Sequence, residues 1–101
     1  MQMLLSEVAS FTKGYLLGKD LAIVSVSIDT RTLLKDDLYI AIKGQNFDGH
    51  VFIEQAAKAG AGAVLVEYEV DTELPQIVVK DTHKALAELA SAWKNQSDVK
   101  T

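Results

Sequence analysis

Three short apolar runs without alternation constrain this chain most: Leu38-Tyr39-Ile40-Ala41-Ile42, Ala63-Val64-Leu65-Val66 and Ile77-Val78-Val79. Successive side chains of a strand point to opposite faces of its sheet, so an unbroken run suits a strand covered on both sides. Between the first two runs, Phe52, Ile53, Ala56 and Ala57 recur at helical spacing, and Gly60 is a natural stop. After the third run, Leu86, Leu89, Ala90 and Trp93 form an apolar stripe on a helix expected to be capped by Thr82 and to end at 96. Upstream, a short helix is expected over 4–11, with Leu5, Val8 and Ala9 inward and Gly14 ending it. A loop rich in glycine and charge follows, then a strand over 23–28 with Val24, Val26 and Ile28 on one face. The order α-β-β-α-β-β-α predicts an α/β fold, a small layered domain with a mixed or mostly parallel sheet flanked by helices. An intervening helix favours a parallel pair for the runs at 38 and 63.

The 101 residues fit one domain, and 49% hydrophobic with 24% charged residues is ordinary for a globular chain. A net charge of −4 with a single arginine, Arg31, argues against a nucleic-acid or anionic-membrane partner. There is no cysteine, which excludes disulfides and thiolate metal sites and suits a cytoplasmic location. The first residues lack the pattern of a signal peptide, and no run approaches a membrane span.

Two segments leave predicted strands with chemistry-bearing residues. The first is Lys43-Gly44-Gln45-Asn46-Phe47-Asp48-Gly49-His50, between a strand and a helix. Such a loop opens on the carboxyl edge of the sheet, where ligands collect. Its glycines permit close backbone approach, the helix start offers N–H groups to an anion, and Gln45 and Asn46 both donate and accept. Phe47 offers a flat face to a base or sugar. The same residues equally suit a plain turn and helix cap made by Asp48-Gly49, with Phe47 in the core. The second segment is Asp29-Thr30-Arg31. Thr30 can hydrogen-bond, and Arg31 can clamp a phosphate bidentately. Read by itself it is more often a solvated turn, with Arg31 paired to an acid such as Asp36 or Asp37. His50 and His83 have no metal-ligand spacing around them; His50 is expected to orient its loop and His83 to lie exposed in the last helix. The sequence has neither a G-x-x-x-x-G-K-[ST] phosphate loop nor a nucleophile–base arrangement.

Taken together, Ile28-Asp29-Thr30-Arg31, Asp37 to Gly44, Phe47-Asp48-Gly49-His50, Phe52-Ile53, Ala56 and Gly60-Ala61 resemble the first domain of the Mur ligases over nearly the whole chain. Within that family, Phe47-Asp48-Gly49-His50 resembles the branch that adds D-alanyl-D-alanine. Thr30 stands where serine is frequent and Tyr39 where phenylalanine is common. The resemblance implies a parent enzyme that joins UDP-N-acetylmuramoyl-tripeptide to D-alanyl-D-alanine with ATP and Mg²⁺, through an acyl phosphate and then a tetrahedral intermediate. It implies that residues 1–95 hold the UDP end, with Thr30, Arg31, Lys43, Gly44, Gln45, Asn46 and Phe47 as contacts. Asp48, Gly49 and His50 would shape the loop. Residues 96–101 would begin a linker to an ATP-binding central domain on which this one packs, and the chain alone, binding no cofactor of its own, is expected to be inactive. Three other readings stay open: the sibling ligase that adds the third amino acid, a non-catalytic regulatory or interaction domain of the same fold, and a phosphoacceptor domain using Asp36-Asp37. The last is disfavoured because those acids precede a strand.

Overall fold

The computed structural model describes residues 3–45 and 48–98, the stretch 92–98 as helical backbone alone. In chain order come β1 (Met3–Leu4), α1 (Leu5–Thr12), β2 (Tyr15–Leu17), β3 (Ala22–Ile23), β4 (Val26–Ser27) and β5 (Leu38–Ile40). A 3₁₀ turn (Gly49–Phe52) then leads into α2 (Ile53–Ala59), β6 (Ala63–Val66), β7 (Gln76–Val78) and α3 (Thr82–Asp98). The main sheet has the order β2-β7-β6-β5-β4. Its last four strands are mutually parallel, with Leu38 opposite Ala63 and Val64 opposite Gln76, while β2 runs antiparallel on the β7 edge. The mixed, mostly parallel sheet is the expected one.

The unbroken runs are buried on both faces for the reason their patterning gives. Leu38, Ile40, Ala63, Leu65, Ile77 and Val79 face one way, onto Leu5 and Val8 of α1 and Ala85 and Leu89 of α3. Tyr39, Ala41, Val64, Val66 and Val78 face the other way, onto Ile53 and Ala56 of α2. The sheet is thus the middle of three layers. Gly60 ends α2 with a φ of 104°, a left-handed conformation that costs glycine little.

Several expectations are corrected. The strand expected over 23–28 is two strands: Ile23 pairs with Met3 in a small separate sheet, and Val26 pairs with Leu38 in the main one. The chain changes sheets between them, so the alternation serves no single buried face, and Val24 and Ile28 are exposed. The loop expected after α1 contains β2, whose three residues sit between Gly14 and Gly18. A Cβ on Gly14 would stand 2.5 Å from the Val78 carbonyl oxygen, so the close pairing of β2 with β7 requires glycine there. The left-handed residue closing α1 is Lys13 (φ 59°), not Gly14. At α3 the cap is Asp81, not Thr82: its Oδ1 accepts the amides of His83 and Lys84. Ala57 and Ala90 are exposed, and helix α3 runs to Asp98, past the expected end at 96. The Trp93 side chain lies outside the described residues.

Candidate functional site

Because β4 to β7 are parallel, their carboxyl ends share one edge of the sheet. That edge carries the Asp29-Thr30-Arg31 exit of β4, the loop after β5, Glu67 after β6 and Asp81 after β7. Ligands of open α/β sheets bind along this edge. Asp36 and Asp37 lie at the other end of β5. There Asp37 Oδ2 accepts the Leu34 amide (3.0 Å), a turn-capping contact.

A cleft of about 580 Å³ opens between the β4 exit and α2. Ile28, Asp29, Thr30 and Arg31 line it from the β4 exit, Ile42 from the β5 exit, and Tyr39, Phe52 and Gln55 complete the lining. Its size falls within the range of small-molecule sites, and its lining is largely apolar with a few polar groups, as such sites usually are. Thr30 and Arg31 are therefore brought together with the foot of the β5 exit. Lys43, Gly44 and Gln45 continue directly from Ile42 and are exposed, but are not among the residues lining the cleft. Asn46 and Phe47 lie outside the described residues.

The β4 exit is a turn held by short-range contacts. The Ser27 hydroxyl donates to the Asp29 carbonyl (2.9 Å) and accepts the Asp29 amide (3.2 Å). Asp29 Oδ1 accepts the Arg31 amide at 2.8 Å. The Arg31 guanidinium pairs with this carboxylate, Nη2 to Oδ2 at 2.8 Å, rather than with Asp36 or Asp37. The Arg31 side chain is 86% exposed. Its side-chain and backbone N–H groups hold the Asp29 carboxyl below the ordinary carboxylate range.

The β5 exit is built differently. Lys43 and Asp48 form an isolated antiparallel bridge at the base of the loop, and the Gly49 amide donates to the Ile42 carbonyl (2.7 Å). A Cβ on Gly49 would stand 2.9 Å from the Ile42 nitrogen, so this crossing admits only glycine without a backbone shift. Asp48 caps the 3₁₀ turn, its Oδ1 accepting the His50 amide (2.9 Å) and meeting His50 Nδ1 (2.6 Å). His50 Nε2 accepts the Glu67 amide at 2.9 Å. That bond leaves no proton on Nε2, so the Nδ1–H form donates to Asp48 and the ring is neutral. The ring is 2% exposed and stacks on Tyr68 at 4.3 Å between centroids. The His50 amide first, and its side chain second, hold the Asp48 carboxyl below the ordinary range. The Tyr39 hydroxyl donates to the Gly49 carbonyl (2.9 Å), and its pKa is pushed up to about 12 by burial and by the charges of Asp29 and Asp48. Tyr39 thus stands between the two exits as a neutral phenol.

Glu67, which sequence reasoning missed, joins this corner to α3. Its amide holds His50, and its Oε2 accepts both the amide and the hydroxyl of Thr82 (2.9 and 3.0 Å). His83 is exposed, as expected, and its Nε2 lies 3.0 Å from the Lys43 carbonyl, a bond that requires the proton on Nε2. Also missed as cleft residues were Ile28, Tyr39, Ile42, Phe52 and Gln55; the i, i+3 spacing of Phe52 and Gln55 was the available signal. Among the described residues, no group of three or more His, Asp or Glu side chains is placed to hold a metal ion, and no helix is long and apolar enough to cross a membrane.

The profile described as "Mur ligase family, catalytic domain" matches residues 22–94. The chain is 46% identical over 92 residues to the UDP-N-acetylmuramoyl-tripeptide--D-alanyl-D-alanine ligase of Escherichia coli (strain K12), covering 91% of this chain and 20% of that protein. It is 40% identical over 78 residues to the UDP-N-acetylmuramoyl-L-alanyl-D-glutamate--2,6-diaminopimelate ligase of Bacillus licheniformis, covering 77% of this chain and 16% of that one. A crystal structure of MurF from Acinetobacter baumannii superposes with a TM-score of 0.86 at 29% identity, over 95% of this chain and 22% of that chain. The chain thus spans about a fifth of the length of such relatives. With a family profile covering most of its residues and the same fold in a solved relative, the chain belongs to the Mur ligase family.

Proposed function

We propose that this chain is the N-terminal domain of an ATP-dependent ligase that adds D-alanyl-D-alanine to UDP-N-acetylmuramoyl-tripeptide, and that it holds the UDP end of that substrate. One observation carries the reading: Thr30, Arg31 and Ile42 line a ligand-sized cleft on the carboxyl edge of the sheet, in a chain 46% identical over 92 residues to such a ligase. In this reading the uracil and ribose lie against the apolar lining, and Arg31 meets the pyrophosphate through charge-assisted hydrogen bonds. Lys43, Gly44, Gln45, Asn46 and Phe47 supply further contacts to the UDP moiety. Asp48, Gly49 and His50 fix the direction of that loop without touching the substrate.

The domain's contribution to the reaction is positioning. Gripping the distant UDP end fixes where the peptide carboxylate can go, which replaces part of the entropy cost of bringing reactants together. ATP and Mg²⁺ supply carboxylate activation in the full-length enzyme; residues 1–95 form the UDP-holding unit, which packs on its own ATP-binding domain reached through a linker beginning at 96–101. The enzyme works in the cytoplasm. Titrating the chain with UDP and with UDP-N-acetylmuramoyl-tripeptide, followed by amide chemical shifts, tests this. Shifts at residues 28–31 and 42–45 support it; shifts absent there at millimolar ligand contradict it.

The 40% identity to a 2,6-diaminopimelate ligase favours a second reading, the sibling enzyme acting one residue earlier. Assaying the full-length ligase with either amine acceptor separates the two.

A further inference from the structure

We infer that Asp29 is a positioning residue for the nucleotide's pyrophosphate: it grips one side of the Arg31 guanidinium so that the opposite fork faces the anion. The inference rests on the reading that Arg31 meets the pyrophosphate. A guanidinium carries five N–H donors in a rigid plane. Asp29 takes the side-on pair: Nε stands 3.1 Å from Oδ1 and 3.2 Å from Oδ2, and Nη2 stands 2.8 Å from Oδ2. Among the described residues that leaves both hydrogens of Nη1 and the second hydrogen of Nη2, which include the end-on fork that a phosphate accepts bidentately.

The carboxylate is itself set by the main chain. Its Oδ1 accepts the Arg31 amide at 2.8 Å, and the Asp29 backbone is fastened on both sides by the Ser27 hydroxyl. A long, mobile side chain is thereby held by a turn only three residues long. Asp29, Thr30 and Arg31 line the same cleft, so the guanidinium borders the space in which the proposed function puts the pyrophosphate. Fixing a rotamer-rich side chain before binding removes an ordering cost that binding would otherwise meet.

Asp29 is an anion beside an anion site, so charge repulsion alone makes Asp29→Asn bind UDP more tightly. Positioning makes it bind more weakly, although asparagine is isosteric and keeps an oxygen for the Arg31 amide. The experiment titrates the wild-type chain, Asp29→Asn, Arg31→Ala and the double variant with UDP and, separately, with uridine, by amide chemical shifts. The expected result is UDP binding about three- to tenfold weaker for Asp29→Asn, unchanged uridine binding, and no further loss when Asp29→Asn is added to Arg31→Ala. UDP binding by Asp29→Asn as tight as wild type or tighter, or an equal loss for uridine, would overturn the inference while leaving the UDP site standing. A wild-type chain that ignores UDP would overturn the site itself, and the inference with it.

Discussion

The two strand exits at the carboxyl edge are made in opposite ways. Asp29-Thr30-Arg31 is a short turn whose arginine is 86% exposed and whose contacts span at most three residues. Asp48-Gly49-His50 is a buried corner, its imidazole 2% exposed and bonded to a residue 17 positions away. Exposed ion pairs contribute little to folding, so the charge of Arg31 is available for a ligand. Buried polar groups must be fully satisfied, and every described contact of the His50 ring is used for structure. The difference matches two roles that a motif merges: in the proposed function one exit meets the anion, and the other is a structural corner.

The widest gap between the exits should appear on removing their central side chains. His50→Ala leaves the Glu67 amide without its acceptor, removes the imidazole contact from Asp48, which keeps the amide of residue 50, and opens space beside Tyr68. The expected loss of folding stability is about 3 kcal/mol, read from urea unfolding. A loss below about 1 kcal/mol would mean the corner is not built as described. Arg31→Ala should do the reverse. Urea unfolding should be unchanged, because an exposed ion pair contributes little to folding, while nucleotide-sugar binding by the full-length enzyme weakens about ten- to a hundredfold. Unchanged affinity would reduce Arg31 to a surface charge.

Tyr39 lies between the exits and gives a smaller test. Tyr39→Phe keeps the buried ring but removes the donor to the Gly49 carbonyl, with an expected cost of about 1 kcal/mol in chemical unfolding. No change would assign the hydroxyl no part in holding the loop. The finest test is titration. Both Asp29 and Asp48 are held low, so each favours the charged, native form. Their contribution is complete above about pH 4 and is lost as the pH falls through the lowered native value. In Arg31→Ala, the carboxyl titration of Asp29 should move back up while that of Asp48 stays low, because their causes are separate.

Much of this architecture could be read from residues alone. Leu38 to Ile40 and Ala63 to Val66 carry apolar side chains at both parities, which only a doubly covered strand explains, and Gly60 marks a helix end because φ there is positive. The strand Tyr15–Leu17 was hidden because three residues between glycines carry no period. The break at Val24 and Ser25 was hidden because changing sheets leaves no signature in residue type. The cap of α3 was placed one residue late, since Asp81 and Thr82 are both good cap residues and their geometry decides. In the candidate site, the edge and the residues Thr30 and Arg31 were legible because charged groups follow a strand. The floor made by Tyr39, Phe52 and Gln55 was not, since it joins separate elements. Glu67 escaped notice for a simpler reason: it holds His50 through a backbone amide, which every residue but proline possesses.

The central claim is that the cleft between the β4 exit and α2 holds the uridine of a nucleotide-sugar. Intermolecular NOEs between UDP and the chain test it most directly. The account predicts contacts from the uracil and ribose protons to the methyl groups of Ile28 and Ile42 and to the rings of Tyr39 and Phe52. Contacts confined to the far side of α2, at Ala57 and Leu74, would contradict it.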